Sequence, residues 1–226
     1  MKELVKSVKA DIQSFLNASN KLFFNECDLQ MNLACFLEST NKNYDKIHVE
    51  YFLPSQLVEK QIKQKLISQS YYKAQNIYVD IVVEKGDEFL PIELKYKTAL
   101  VDKDICRFGE LVNGVSLLKN QGARNLGAYD FWWDVCRVEC LVERFNNVNN
   151  GLTLFLTNDC GYMKNPSDNA MPQYAEFNMK EGEHGLSRAW KDRPIFEGRP
   201  SFKLSSIYKI NWDNYIDGFK YCLLEI

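Results

Sequence analysis

The sequence predicts a mixed α/β (α+β) domain, with one central β-sheet and helices packed on it. Three observations lead there. Helix-period apolar stripes and strand-like runs alternate along the chain. A tight hairpin, "NIYVDIVVEKGDEFLPIELKYKT" at 76–98, occupies its middle. The 226 residues, 46% hydrophobic and 26% charged, suit a single domain over 1–226, or one domain with a sizeable insertion.

In chain order, "NECDLQMNLACFLEST" predicts a helix. Leu29, Leu33, Phe36 and Leu37 recur at helical spacing, Asn25 is a suitable cap, and Asp28 lies in the first turn. "KIHVEYFLP" predicts a strand that ends at Pro54. Residues 55–75 are polar and lack glycine and proline, so a helix is expected to connect that strand to the hairpin. In the hairpin, Gly86-Asp87 supplies a two-residue turn with glycine first, the type II′ preference. "YDFWWDVCRVECLVERF" predicts a second strong helix, with Phe131, Val135, Val138, Val142 and Phe145 on its apolar stripe. "GLTLFLTND" is the next strand. Residues 159–200, rich in Gly, Pro, Asn and charge, read as long loops with short elements. "FKLSSIYKI" and "FKYCLLEI" read as two closing strands of the sheet.

Several function classes are disfavoured. No run approaches the roughly 20 apolar residues of a membrane span, and the N-terminus has charges throughout. The expectation is therefore a cytoplasmic protein with no membrane partner. Seven cysteines, an odd number without a CxxC pair, are expected to be reduced and mostly buried. With His48 and His184 alone, there is no material for HExxH zinc chemistry. A net charge of −2 means that any nucleic-acid site must be a local basic patch.

The hairpin poses the functional question. If the turn pairs Lys85 with Glu88, the ladder places Asp80 opposite Glu93. One face then holds Ile77, Val79, Ile81 and Val83 against Tyr96, Leu94, Ile92 and Leu90, and a slip of one residue would mix apolar with polar. Pro91, without an N–H, fits a bulge or a non-bonded position. Directly opposed side chains have Cβ atoms about 5 Å apart, so two carboxylates there repel. A divalent cation between them reverses the sign, and Mg²⁺ needs only one or two acids. Lys95 projects from the same face about 6.6 Å beyond Glu93. Two acids and a lysine around one metal suit phosphodiester hydrolysis. The alternative is a solvated polar face of an amphipathic hairpin.

Asp80, twelve intervening residues and then Glu93-Leu94-Lys95 resemble the PD-(D/E)XK nuclease superfamily. Val79 stands where the motif often has proline. The resemblance implies a restriction-endonuclease-like fold. It also implies catalysis by Asp80, Glu93 and Lys95 and a Mg²⁺ (or Mn²⁺) held by Glu26, Asp80, Glu93 and the Leu94 carbonyl. Gln30 and Gln121 are implied accessories, and Lys97, Arg124 and Arg137 are candidates for phosphate contacts. For Glu26 the alternative is a first-turn acid favoured by the helix dipole. For Asp130, Asp134 and Arg137 it is ion pairing along their helix. The implied partner is nucleic acid, DNA before RNA, with a homodimer open. The alternative function is a non-catalytic module of the same fold that binds nucleic acid or protein.

Overall fold

A computed structural model describes residues 2–40, 44–68, 72–164 and 172–226. Among these are four α-helices: α1 (Lys2–Ala18), α2 (Glu26–Thr40), α3 (Glu59–Lys65) and α4 (Arg124–Arg144). The longer strands are β1 (Lys46–Leu53), β2 (Ile77–Lys85), β3 (Glu88–Lys97), β4 (Val101–Arg107), β5 (Glu110–Leu118) and β6 (Leu152–Thr157). They are followed by the short β7 (Asp213–Asn214) and by β8 (Lys220–Glu225). The central sheet is mixed and runs β1-β2-β3-β6-β8-β7. Only β3 and β6 are parallel, joined through α4. No helix among the described residues is long and apolar enough to cross a membrane.

Helices cover both faces of the sheet. On one side α1 and α2 bury Val5, Val8, Ile12, Leu29, Leu33 and Leu37 against Ile81, Ile92, Leu94 and Leu154. On the other, α3 and α4 bury Ile62, Phe131, Trp132 and Val135 with Val82, Phe155 and the 177–210 loops. The predicted cap of α2 is present: Asn25 Oδ1 accepts the Asp28 N–H at 2.8 Å, and Asp28 Oδ2 accepts the Phe24 N–H at 3.1 Å. The Tyr96 hydroxyl donates to the Phe23 carbonyl at 2.6 Å and ties this helix start to β3.

The hairpin keeps the expected register from Lys85–Glu88 to Ile81–Ile92. Gly86 has φ +58, and Asp87 has no positive φ, the signs of a type II′ turn. Pro91 pairs with Val82 immediately before β3 begins to pair with β6 at Ile92, so no ladder bond is lost on that side. The expected apolar face is wrong at one end. Ile81 and Val83 pack with α1 and α2, but Ile77 and Val79 pack with α4. The side-chain alternation breaks at Asp80. On β1, Val49 and Tyr51 divide between the two sides in the same way, around Glu50 at φ +51. A left-handed glutamate bends both strands there.

Other expectations also need correction. Helix α1 carries a clear stripe that the charged N-terminus masked. Of the connector expected to be helical, residues 69–71 lie outside the described residues, and the described part holds a 3₁₀ turn at Ser55–Leu57 and seven residues of α3. "FKLSSIYKI" is not a strand of the sheet: Phe202–Lys203 and Tyr208–Ile210 pair with Ser187–Arg188 and Gly182–His184. β4 and β5 form a second hairpin that was not anticipated, with φ positive at both Phe108 and Gly109 as a type I′ turn requires. Of the seven free cysteines, Cys27, Cys35, Cys106 and Cys160 are exposed and only three are buried.

A buried charge cluster fixes the C-terminal loops on α4. Lys65 donates to Glu139 at 2.8 Å and to Glu143 at 2.6 Å, and also to Ser205. Glu139 further accepts the Ser205 and Ser206 N–H groups and the Tyr208 hydroxyl. Removing Glu139 would leave buried Lys65 with the more exposed Glu143 as its remaining acid and would strand the Ser205 and Ser206 N–H groups and the Tyr208 hydroxyl. Glu139→Ala is therefore expected to cost about 3–5 kcal/mol of unfolding free energy, read from urea midpoints. An unchanged midpoint would show that the cluster contributes nothing.

Candidate active site at the split between two strands

The candidate residues gather where β2 leaves β3. Beyond Ile81–Ile92 the two strands stop pairing, while β3 continues beside β6 as far as Lys97. Leu94 and Tyr96 then present N–H groups on the side that β2 has vacated. Asp80 Oδ2 accepts the Leu94 N–H at 2.6 Å. Glu26 Oε2, from the first turn of α2, accepts the Tyr96 N–H at 2.8 Å. Two carboxylates thus replace the missing strand, and each satisfies a backbone donor that would otherwise be stranded. Glu26 arrives from the α1/α2 layer, and Lys95, 3.8 Å from it, is held by Asp134 of α4, so charged groups from both layers meet at the gap.

Gln30, one turn after Glu26, braces the bend. Its Nε2 donates to Glu50 Oε1 and to the Asp80 carbonyl, both at 2.8 Å. It lies behind Asp80 as a support, with both donors of its amide nitrogen spent on these two bonds.

The α4 side contributes residues that sequence reasoning had left to helix surface chemistry. Asp134 is 3% exposed and sits 2.8 Å from Lys95 Nζ. Arg137 Nη2 donates to Glu93 Oε1 at 2.9 Å and also to Asp134. Lys95 Nζ donates to the Leu94 carbonyl at 3.1 Å and lies 3.8 Å from Glu26. Arg137 is therefore held by Glu93 and by Asp134, the second being the ion pair along the helix that the sequence offered beside a phosphate contact. The spacing of Asp134 and Arg137 was visible in the sequence. That their side chains meet Glu93 and Lys95 depends on how α4 docks.

The remaining candidates lie farther along β3. Lys97 projects on the Lys95 face toward the first turn of α4. Arg124 Nε pairs with Asp159 Oδ2 at 2.6 Å. Gln121 is exposed, and its backbone N–H donates to the carbonyl of Thr98, the residue after β3, at 2.9 Å.

Four acids face two cations, so the site carries an excess of two negative charges when all are ionised. Burial, reinforced by Asp134 and Glu26, pushes Asp80 up to about 6, against the opposing pull of Lys95 and the Leu94 N–H. Burial pushes Glu93 well above the usual carboxylate range, with Arg137 pulling the other way. Burial alone would lower Lys95, but Asp134, Glu26, Glu93 and Asp80 outweigh it and the net shift is upward. Lys95 is thus a fixed positive charge and hydrogen-bond donor, not a base.

The donors suit a hard cation: carboxylate oxygens, one main-chain carbonyl, and buried Asp134 Oδ2, which has an ion pair to Lys95 but no well-formed hydrogen bond. Among the described residues, no three His, Cys, Asp or Glu side chains converge closely enough to hold a metal as they stand. Arg137 and Lys95 occupy the space between the acids. The fit is one of chemistry and charge, and Glu93 would have to exchange its Arg137 contact for the ion.

The raised Asp80 carboxyl has a consequence for stability. Below its unfolded value of 3.8 it is protonated in both states. Above that, only the folded chain keeps the proton, so this contribution is lost as pH rises through about 6. In buffer free of divalent ions, the melting temperature should fall from pH 5 to pH 7. Asp80→Asn, which can still accept the Leu94 N–H, should flatten that fall. An identical slope in the variant would assign the titration to another group.

No family model matches the chain, and no curated protein or solved structure matches it either; what the site can do has to be read from its own residues.

Proposed function

We propose that the chain is a divalent-metal-dependent nuclease of the PD-(D/E)XK type, hydrolysing phosphodiester bonds of DNA, with its central sheet as a restriction-endonuclease-like core. One observation carries this reading. Asp80, Glu93 and Lys95 meet Glu26 at the split between β2 and β3, in a pocket of charge whose acids outnumber its bases by two. A purely structural strand junction has no need of that excess, because backbone caps could be neutral amides.

Asp80, Glu93 and the Leu94 carbonyl would hold Mg²⁺ or Mn²⁺, with Glu26 completing the acidic side. When bound, such an ion lowers the pKa of water and neutralises charge on a phosphate. Asp80 and Glu26 are oriented in advance by the Leu94 and Tyr96 N–H groups, so little side-chain ordering remains to be done on binding. Lys95, held by Asp134 and the Leu94 carbonyl, directs its ammonium into the same space. It donates a hydrogen bond to the attacking water or to a phosphate oxygen as charge develops there. Asp134 fixes the position of Lys95, and Arg137 balances Glu93 until the ion is bound.

The Arg137–Glu93 pair favours a second reading. An acid engaged by a buried arginine suits a module of this fold that binds nucleic acid or protein without cutting. The two readings separate in one experiment, with the wild type and two variants assayed with Mg²⁺ or Mn²⁺ on single-stranded and duplex DNA and on RNA. Asp80→Asn should lose both calorimetric metal binding and cleavage. Lys95→Met should keep metal binding and slow cleavage by about 10²–10³-fold, the usual cost of one charged donor to a transition state. If the wild type neither binds metal at millimolar concentration nor cuts any substrate, the hydrolase reading fails and the binding module takes its place.

A further inference from the structure

The N-terminus of α4 combines four features that the site described above does not use. The helix is 21 residues long, and its cap is Ala123, at φ +57, with no side chain able to accept a hydrogen bond. Leu126 and Gly127 donate to the Ala123 carbonyl, but among the described residues nothing accepts the N–H groups of Arg124 and Asn125. These two donors stand at the positive end of a long helix dipole.

A buried hydroxyl points at the same turn. Tyr162 is 5% exposed, and among the described residues its Oη has no hydrogen-bond partner. A Cβ on Gly127, in the first turn of α4, would stand 2.3 Å from this Oη and 3.3 Å from Lys97 Cε. The phenol and the end of the lysine side chain therefore meet on the one residue of that turn that has no side chain to exclude them. Burial pushes the Tyr162 phenol upward, so it is a proton donor at neutral pH. Lys97 has no ion-pair partner among the described residues.

The third side is Arg124. Its guanidinium crosses Gly161 so closely that a Cβ there would lie 2.4 Å from Nε. Asp159 holds it, with Oδ2 on Arg124 Nε at 2.6 Å and Oδ1 on the Gly161 N–H at 2.9 Å. Both oxygens of that carboxylate are thus engaged. With Lys97 and Arg124 set against Asp159, one positive charge is left over; Asp130, the other acid acting on Tyr162, is paired with Arg199, and the helix N–H groups, Lys97 and the phenol can all donate. Such a constellation selects an anion with several acceptor oxygens.

We propose that the first turn of α4, with Lys97, Arg124 and Tyr162, is a subsite for a phosphoryl group. Lys97 lies two strand residues beyond Lys95, roughly 6.6 Å along β3 on the same face. A nucleic-acid strand carries a phosphate at every nucleotide. The group bound here is then the phosphate beside the one facing Lys95, and it sets how far the strand enters the site. Its place in the reaction rests on the nuclease reading, whereas its affinity for phosphate does not.

The test is binding of a thymidine tetranucleotide, with either a 5′-phosphate or a 5′-hydroxyl, by calorimetry in EDTA, where cleavage cannot contribute. Lys97→Gln and Tyr162→Phe, the second of which keeps the ring packing, should each weaken binding on the order of tenfold, the effect of losing one hydrogen bond to a charged group. If the 5′-phosphate strengthens wild-type binding by a similar factor and the variants abolish that advantage, the subsite takes a terminal phosphate. If both oligonucleotides bind alike and both weaken in the variants, it takes an internal one. Binding equal to wild type in both folded variants overturns the proposal, as does a wild type that binds neither oligonucleotide. Should one variant fail to fold, the other decides. A wild type that shows this pattern yet cuts nothing with Mg²⁺ or Mn²⁺ sinks the hydrolase reading and leaves the subsite standing; cleavage with no effect of either variant on binding does the reverse.

Discussion

Two backbone N–H groups, those of Leu94 and Tyr96, govern how this site is built. A sheet that loses a strand must satisfy the donors the strand leaves behind, at a cost comparable to a lost hydrogen bond for each one stranded. Here the substitutes are carboxylates, Asp80 from the departing strand and Glu26 from α2. Much of the local architecture serves that exchange. The bend at Glu50 and Asp80 separates the strands, Gln30 holds the bend, and the Asn25 cap with the Tyr96–Phe23 bond starts α2 where Glu26 can reach through. Once the acids are fixed for structural reasons, Lys95, Asp134 and Arg137 collect around them for electrostatic ones.

What the sequence made legible was local. A two-residue turn and the side-chain period defined the β2–β3 register as far as Ile81–Ile92; the expected Asp80–Glu93 pair, one step further, is not formed because the strands part there, though Asp80, Glu93 and Lys95 do gather at that end of the hairpin. The helical stripes of α2 and α4 were plain, and so was the Asn25 cap. Hidden features depended on packing between distant segments. Glu50 in the left-handed region has no composition signal, because glutamate rarely adopts it. The division of Ile77 and Val79 from Ile81 and Val83 follows from that bend and could not be seen from alternation alone. Residues 202–210 look like a strand, but Glu139 captures Ser205, Ser206 and Tyr208 and breaks the run into two short ladders. Asp134 and Arg137 had the spacing of an ordinary helix-surface pair; α4 turns them inward onto β3.

The two buried charge clusters on α4 solve different problems. Lys65 with Glu139 is closed: hydroxyls and N–H groups of the 205–208 segment take up the spare capacity of the carboxylate, and the result is an anchor. The cluster around Asp134 and Arg137, about one turn earlier, is open. It has more acids than bases, a buried carboxylate oxygen without a well-formed hydrogen bond, and a raised Asp80 carboxyl. The same helix thus carries one network whose bonding capacity is used up and another that retains capacity for a cation or a proton.

The β4–β5 hairpin lies between β3 and α4, the two elements that frame the site, yet it buries little of itself. Its base is closed by short bonds: Thr98 Oγ1 donates to the Lys119 carbonyl at 2.8 Å, and the Gln121 N–H donates to the Thr98 carbonyl at 2.9 Å. The chain therefore leaves β3 and returns at nearly the same point. The hairpin is a loop in the strict sense, with its neck already tied, and changes in its length or tip sequence would be absorbed beyond that neck. Evolution could vary this segment freely while the register of β3 beside β6, and with it the spacing of Glu93, Lys95 and Lys97, stayed unchanged.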